Sequence, residues 1–427
     1  MREMKDSGIE WVGAMPRAWK MNTIAQIFLQ VKCKNTGLQE KNLLSLSYGK
    51  VKRKSIDTVE GLLPESFDGY NIIEKDDIVL RLTDLQNDHT SLRVGLAEER
   101  GIITSAYLTI RNRSNFCPKY LYYYLHSFDI AKGFYGMGAG VRQGLNWDGV
   151  KWLKILAPSV PEQERIAAFL DAECAEIDTV LEKTRASIEE YKKLKQAVIT
   201  QAVTKGIRGD RPMKNSGIEW IGEIPAGVPI SRVGLHFDIV LGKMLCSAPV
   251  DDNYTLESYY CAADVHFEGL SNGEKKKMWF SPDEKEQYCV KNGDLLVVEG
   301  GAGAGGCAIA VSTDVPIYIQ NSIMIVRSKG ISNIRYLRYL LECLVKKGYI
   351  DVVCNKATIP HFTKDKLANV PFIVFSQSEQ EEIAEYLNEK CAGIDALIVK
   401  KQQYITEIEN YKKSLIYEYV TGKKEVV

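Results

Sequence analysis

The strongest constraint on the fold of this chain is an internal repeat. Residues 4–16 (MKDSGIEWVGAMP) and residues 213–225 (MKNSGIEWIGEIP) are identical at nine of 13 positions. The correspondence continues at an offset of 217 residues, where EQERIAAFLDAECAEID at 162–178 matches EQEEIAEYLNEKCAGID at 379–395. The 427 residues therefore form two copies of a unit of about 210 residues, and we expect both copies to fold alike.

Each copy divides into a mixed α/β part and one long helix. Short apolar runs such as DIVLRL and IMIVR, broken by Gly, Asn and Asp, predict strands in roughly the first 150 residues of each copy. A helix is expected near 118–131 and again near 333–349. About 45 residues follow that are rich in helix-forming side chains, bounded by Pro161 and Gly206 in the first copy and by Ser376 and Gly422 in the second.

Apolar residues recur in both long helices with a period of 3.5 residues, which is typical of a coiled coil. Polar residues interrupt this seam at matching places, at Thr184 and Lys401 and at Lys195 and Lys412. A twofold axis between two homologous units would make the helices antiparallel, in a rod of ~60 Å with one globular domain at each end. The predicted seam residues are Leu170, Cys174, Ile177, Leu181, Ile188, Leu387, Cys391, Ile394, Ile398, Ile405 and Ile408.

The predicted fold class is α/β (α+β), with two pseudo-twofold-related globular domains joined by two long antiparallel coiled-coil helices. The predicted boundaries are 1–158 for the first repeat motif and globular domain, 159–206 for the first long helix, 207–229 for the linker and second repeat motif, 230–375 for the second globular domain, and 376–427 for the second long helix with the C-terminal tail.

Composition is that of an ordinary globular protein. The 55 Lys and Arg residues balance 55 Asp and Glu residues, and 45% of the chain is hydrophobic. No run of 18 apolar residues predicts a membrane span, and no apolar segment follows the N-terminal charges as in a secretory signal. The ten cysteines contain no C-x-x-C pair, so we expect reduced thiols and a cytoplasmic location.

Motifs of known catalytic chemistry are missing from the sequence. We find no phosphate-binding P-loop, no [ND]-P-P-[YF] signature of amino-methyltransferases and no H-E-x-x-H zinc motif, and we predict no catalytic residue, no metal site and no cofactor in this chain. The segment Gly301–Gly306 satisfies G-x-G-x-x-G, but strand-type residues follow it where a dinucleotide site needs a helix. The first copy lacks these glycines, so we interpret the segment as a flexible loop that differs between the copies.

The duplicated SGIEW-[VI]-G-x-[MI]-P motif, the SVPEQERI helix start, the YKK-containing helices and the C-terminal TGKKEVV resemble the specificity subunit of type I restriction–modification enzymes. The resemblance covers essentially the whole chain; the second copy departs from it in FSQSEQEEI, which lacks the proline. It implies a non-catalytic subunit, in which each globular half is a target recognition domain for one half of a bipartite, asymmetric double-stranded DNA target.

The resemblance also implies partners. The two long helices would set the spacing between the half-sites and dock two methyltransferase subunits, and restriction (motor-nuclease) subunits would join the assembly. S-adenosylmethionine, ATP and Mg²⁺ would be bound by those partners rather than by this chain.

Two basic clusters and three polar loops are candidates for DNA contact. Lysine and arginine clusters suit phosphates, whereas Arg, Asn, Gln and Thr in loops suit base edges. The candidates are Lys50, Lys52, Arg53 and Lys54; Lys275, Lys276 and Lys277; Arg81, Thr83, Gln86 and Asn87; Arg142, Gln143 and Asn146; and Lys356, Thr358 and His361.

Each of these assignments has an alternative. The basic clusters could be solvated strand ends, and the loops could differ by ordinary surface drift. For the whole chain, the alternatives are a stand-alone DNA-modifying enzyme, which the missing motifs argue against, and a coiled-coil scaffold with two protein-binding heads.

Overall fold

The computed structural model describes residues 2–55, 66–86, 90, 92–135, 137, 144–354 and 360–426. Its contacts divide the chain into two compact units, Met1–Arg185 with Gln402–Val427, and Ala186–Lys401. The division falls within two long helices, α4 (Val160–Lys205) and α10 (Gln377–Val420), so each unit contains a segment of both.

The first unit is built on a four-stranded antiparallel sheet with the strand order β4-β11-β8-β9. Three two-stranded pairings, β1-β2, β3-β12 and β7-β10, and the hairpin β5-β6 surround it. Its elements are β1 Met4–Asp6, β2 Ala14–Pro16, β3 Lys20–Thr23, α1 Ile24–Ile27, β4 Phe28–Gln30, β5 Leu44–Ser47, β6 Lys50–Arg53, β7 Asn71–Ile73, β8 Ile78–Leu80, β9 Val94–Leu96, β10 Gly101–Ile103, β11 Leu108–Asn112, α2 Pro118–Ile130, α3 Trp147–Val150, β12 Lys154–Ala157 and the N-terminal part of α4 Val160–Lys205.

The second unit contains the corresponding sheet, in the order β16-β24-β21-β22. Beside it lie the sheet β20-β17-β23 and the pairs β13-β14, β15-β25 and β18-β19. Its elements are β13 Met213–Asn215, β14 Glu223–Pro225, β15 Ile230–Arg232, α5 Val233–His236, β16 Phe237–Leu241, β17 Thr255–Tyr260, a 3₁₀ turn Ala262–Asp264, β18 Val265–His266, β19 Gly269–Leu270, β20 Lys276–Phe280, α6 Pro282–Tyr288, β21 Leu295–Val298, β22 Cys307–Ile309, β23 Tyr318–Ile319, β24 Ile323–Ser328, α7 Ile334–Lys346, α8 Tyr349–Val353, α9 Lys364–Ala368, β25 Pro371–Ile373 and the N-terminal part of α10 Gln377–Val420.

The central strands carry uninterrupted apolar runs because both faces of the sheet are covered. In β8, Ile78 and Leu80 belong to the core cluster that includes α2, whereas Val79 packs into a second cluster with Leu44 and Ile103. The sheet of the second unit is divided between two clusters in the same way. Strands buried on both faces read as continuous hydrophobic segments, which explains runs such as DIVLRL and DLLVV.

The two long helices run antiparallel in each unit. In the first unit, Arg185 Nη2 lies 2.6 Å from Glu409 Oε1 and Lys412 Nζ lies 2.5 Å from Asp178 Oδ1. In the second unit, Lys195 Nζ lies 2.6 Å from Asp395 Oδ2. Lys195 and Lys412, which interrupt the predicted seam, thus form ion pairs across it.

Burial along the seam is uneven. All five seam residues of α4 are buried, from Leu170 to Ile188. In α10, Leu387, Cys391 and Ile394 are buried, whereas Ile398, Ile405 and Ile408 are only partly buried. The described part of the chain contains no helix with both the length and the apolarity to cross a membrane.

Candidate nucleic-acid interface

In the first unit, two polar segments meet at the C-terminal end of β8. The loop 81–86 follows β8, and the segment 144–146 precedes α3; the Leu145 amide donates a 2.8 Å hydrogen bond to the Leu82 carbonyl. Thr83, Gln86 and Asn146 are exposed there, and Arg81 is half-buried. The Asn146 side chain also caps α3 by accepting a hydrogen bond from the Gly149 amide at 3.1 Å. The fold thus brings together residues that the sequence analysis assigned to separate loops.

The second unit pairs its loops at the matching place. The loop 299–306 follows β21 and lies against 360–362: the Phe362 amide donates to the Glu299 carbonyl at 2.6 Å and the Gly301 amide to the Pro360 carbonyl at 3.2 Å. His361 is 60% exposed, with Nδ1 3.4 Å from Glu299 Oε2. We call 81–86 with 144–146, and 299–306 with 360–362, the recognition loop pairs, after the DNA contacts that the sequence analysis predicts for Arg81, Thr83, Gln86, Asn146 and His361.

The glycine-rich segment of the second loop pair was not among the predicted DNA-contacting residues. The strand β22 follows it directly, in agreement with the strand-type residues there. Gly301 and Gly305 have φ of 86° and 82°, and a Cβ at Gly305 would lie 2.9 Å from Ile350 side-chain atoms. Leu82 and Glu299 are separated by 217 residues, the same offset as between the two copies of the repeat. This correspondence could have placed the glycine-rich segment in the interface from the sequence.

The first basic cluster lies on the hairpin β5-β6. Lys50, Lys52, Arg53 and Lys54 are all exposed. Arg53 forms an ion pair with Glu99, which lowers the pKa of that carboxyl group, and Lys50 Nζ lies 3.5 Å from Asp178 Oδ2. The cluster therefore presents cations to solvent, as phosphate contacts require.

The turn of this hairpin consists of two residues with positive φ, Tyr48 at 48° and Gly49 at 75°. Positive φ at both central residues defines a type I′ turn, which favours Asn-Gly. A tyrosine in the first position is unusual, and Tyr48 is 85% exposed. Nothing in the sequence pattern singled out this residue.

The second basic cluster is divided. Lys276 and Lys277 are exposed on β20. The Lys275 side chain is only 10% exposed, and its amino group donates to Asp264 Oδ1 at 3.0 Å and to the Ser271 carbonyl at 2.7 Å. Although burial opposes the shift, hydrogen bonds from Cys261, Ser271 and Lys275 lower the pKa of Asp264. This placement favours a structural role for Lys275. Phosphate contact remains a prediction for Lys276 and Lys277.

Five predicted contact residues, Asn87, Arg142, Gln143, Lys356 and Thr358, lie outside the described residues, so their roles stay predictions. Within the described ranges, no three His, Cys, Asp or Glu side chains come together in a way that could hold a metal ion.

Matching tyrosines fix each mixed α/β region to the long helices of its own unit. The buried Tyr120 hydroxyl lies 3.0 Å from the Leu156 carbonyl and 3.3 Å from the Val420 carbonyl of α10. In the second unit, the Tyr336 hydroxyl lies 3.1 Å from the Val203 carbonyl of α4 and 3.2 Å from that of Ile373. Each recognition loop pair is thereby held in a defined place relative to the helix segments of its unit.

Two repeated α/β domains, each anchored to segments of a long antiparallel helix pair and each carrying its own loop pair, define the class of fold: a duplicated mixed α/β protein with two long helices. Residues 268–408 match the family model described as type I restriction modification DNA specificity domain. This match covers about a third of the chain, and the resemblance to type I specificity subunits predicted from the sequence is confirmed.

Solved structures support the fold. A chain from the work described as "Structural basis underlying complex assembly and conformational transition of the type I R-M system" is 18% identical, covers 96% of this chain and 99% of its own length, and has a TM-score of 0.72. The HsdS subunit from Thermoanaerobacter tengcongensis is 17% identical, covers 96% of this chain and 98% of its own length, and has a TM-score of 0.54. No curated protein sequence is significantly similar to the chain. The predicted fold class, mixed α/β domains with long helices, is confirmed.

Proposed function

We propose that the chain is the sequence-specific DNA-binding subunit of a type I restriction–modification complex and that each unit recognises one half of a bipartite, asymmetric double-stranded target. The observation that carries the proposal is the contrast between frame and loops. The four-stranded sheets have the same strand order in both units, whereas the loop after β8 offers Arg81, Thr83 and Gln86 and the loop after β21 consists largely of glycine. Two sheets with the same strand order that carry loops of different sequence are suited to recognising two half-sites of different sequence.

The contacts divide into two kinds. Exposed Lys50, Lys52, Lys276 and Lys277 would bind phosphates, which position a protein on DNA without selecting a sequence. The recognition loop pairs would bind base edges, which carry the sequence information. Because the formal net charge is zero, the sequence-independent affinity of the chain alone should be weak, and we expect partner subunits to contribute much of it.

The helix pair would be the attachment site for two methyltransferase subunits and the spacer between the half-sites, and restriction subunits would complete the assembly. Under this proposal, S-adenosylmethionine, ATP and Mg²⁺ bind to those partners, and the chain itself catalyses no methyl transfer, DNA cleavage or ATP hydrolysis. The match to a chain from a type I R-M assembly and to an HsdS subunit supports this division of labour.

The test is reconstitution of the chain with methyltransferase subunits of its host. We expect methyl transfer to genomic DNA only when both are present, and the modified bases should define a motif with two specified halves. The complex is also tested with the double variant Lys276→Gln and Lys277→Gln. Its affinity for DNA of any sequence should be lower than that of wild type. A complex that methylates without sequence preference, or a purified chain that turns over substrate alone, would contradict the proposal. Binding of the methyltransferases without any DNA affinity would instead favour the scaffold alternative.

A further inference from the structure

One side chain beneath the first recognition loop is an unexpected core residue. Arg93 immediately precedes β9 and is 0% exposed. It is the largest fully buried side chain among the described residues. A guanidinium group remains charged at any ordinary pH, and burying a charge is costly unless hydrogen bonds compensate for it. The positions of its hydrogen-bond acceptors therefore indicate what the residue is for.

Those acceptors are carbonyl groups of the recognition loop. Arg93 Nη1 donates to the Arg81 carbonyl at 3.0 Å and to the Thr83 carbonyl at 2.8 Å, and Nη2 lies 3.4 Å from the Asp84 carbonyl. On its other edge, Nε donates to the Tyr135 hydroxyl at 3.1 Å. The backbone of 81–84 thus curls around one planar cation, a geometry that suits the rigid, planar fork of donors in a guanidinium group.

This arrangement controls where the loop side chains point. With the carbonyl groups of Arg81 and Thr83 turned inward to the guanidinium, the Thr83 side chain is exposed. Asp84 adopts φ of 56°, in the left-handed region that residues other than glycine rarely occupy. Such backbone strain persists only where the surroundings determine it, and the Arg93 hydrogen bonds are part of these surroundings.

The corresponding loop of the second unit, 299–306, is held by different hydrogen bonds. The strand pairing places Gly306, which precedes β22, where Arg93 precedes β9. There the turn is closed by backbone hydrogen bonds, from the Ala304 amide to Gly301 at 3.1 Å and from the Gly306 amide to Gly303 at 2.8 Å. Among the described residues, an arginine-based frame is therefore seen at the first recognition loop and not at 299–306.

We propose that Arg93 is a positioning residue for sequence recognition by the first unit: its guanidinium holds the backbone of 81–84 so that the exposed side chains of this loop face one half-site. The inference rests on the proposed DNA-recognition function. It assigns to Arg93 no contact with DNA.

The test uses Arg93→Lys, which keeps the charge and removes the fork, and Tyr135→Phe, which keeps the ring and removes the hydroxyl that accepts from Nε. Two readouts are measured. Hydrogen exchange of the amides in 81–86 is followed on the full chain without DNA, and the methylated motif is read from complexes with methyltransferase subunits. We expect Arg93→Lys to accelerate exchange in 81–86 by about tenfold or more, since one lost hydrogen bond is worth about that factor, and to relax one half of the motif only. Tyr135→Phe should act in the same direction and more weakly.

The matched control is Arg111→Lys. Arg111 forms a two-pronged pair with the buried Asp77 in the same sheet, at 2.7 Å for both contacts, but at the opposite end of β8. It should lower thermal stability and leave the motif unchanged. The proposal is overturned if neither Arg93→Lys nor Tyr135→Phe changes exchange in 81–86, or if Arg111→Lys relaxes the motif as much as Arg93→Lys does. A wild-type complex without sequence preference would overturn the proposed function instead, and the exchange data would still decide whether Arg93 holds the loop.

Discussion

Tyr120→Phe should weaken the attachment of the first α/β region to α10. The Tyr120 hydroxyl is buried and lies between the carbonyl groups of Leu156 and Val420, at 3.0 and 3.3 Å. A phenol has one proton, so it donates to one of these carbonyls at a time. Phenylalanine keeps the packed ring and removes the donor, which isolates the contribution of the hydrogen bond.

The expected cost follows from these contacts. Loss of one neutral hydrogen bond, with a buried carbonyl left short of a donor, destabilises a protein by about 1–2 kcal/mol. For a unit of roughly 200 residues, each kcal/mol lowers Tm by about 2–4 °C. We therefore expect Tm of the transition that involves the first unit to fall by about 2–8 °C.

Differential scanning calorimetry, with hydrogen exchange to assign the effect to a unit, measures this change. Tyr336→Phe is the matched variant, since its hydroxyl makes the corresponding contacts in the second unit; it should accelerate exchange there and not in the first unit. Tyr48→Phe, at an 85% exposed position, is the control and should change neither Tm nor exchange. An unchanged Tm in Tyr120→Phe, or equal effects of Tyr120→Phe on both units, would refute the reasoning.

Three further predictions test other features of the structure. Tyr48→Asn should stabilise the first unit by about 0.5–1 kcal/mol in urea unfolding, because asparagine adopts the positive φ of the type I′ turn more readily; a loss of stability would contradict this. Burial and the nearby Lys412 lower the pKa of His126 to about 4. Between pH 6.5 and 4, the unfolded state therefore binds a proton at this residue that the native state does not. The free energy of unfolding should fall by up to about 3 kcal/mol as the pH drops through this range. Urea unfolding of His126→Phe should show a smaller acid-induced loss than wild type. Lys276→Gln should reduce the salt dependence of DNA binding by about one ion without changing Tm, whereas Lys275→Gln should lower Tm, since its amino group is engaged inside the unit.

Much of the fold could be predicted because it depends on patterns that local sequence carries. The repeat fixed the number of units, and the apolar runs of Ile78–Leu80 and Leu295–Val298 identified central strands since both sheet faces are covered. Flanking Pro, Gly and Ser residues predicted helix ends close to those of Val160–Lys205 and Gln377–Val420, and the heptad pattern predicted the seam between the helices. It overestimated burial at Ile398, Ile405 and Ile408, because periodicity does not reveal how closely a partner helix covers each turn.

The interface was predicted less completely because it depends on contacts between distant segments. Arg93 looked like one arginine among many, and only the fold places it under the carbonyl groups of 81–84. Lys275 belonged to an apparent surface cluster, but Asp264 and Ser271 reach it from the preceding turn. Tyr48 is distinguished by its backbone conformation, which tyrosine disfavours and which residue type therefore could not predict.

The most direct measurement is the methylated motif of a hybrid subunit. Residues 21–158 are replaced by the equivalent domain of a related specificity subunit, the hybrid is assembled with methyltransferase subunits, and modified bases are mapped by sequencing. Because each unit has its own sheet and its own recognition loop pair, and base contacts act locally, only one half of the motif should change while the other half stays that of the parent. A motif that changes in both halves, or in neither, would contradict independent recognition by the two units.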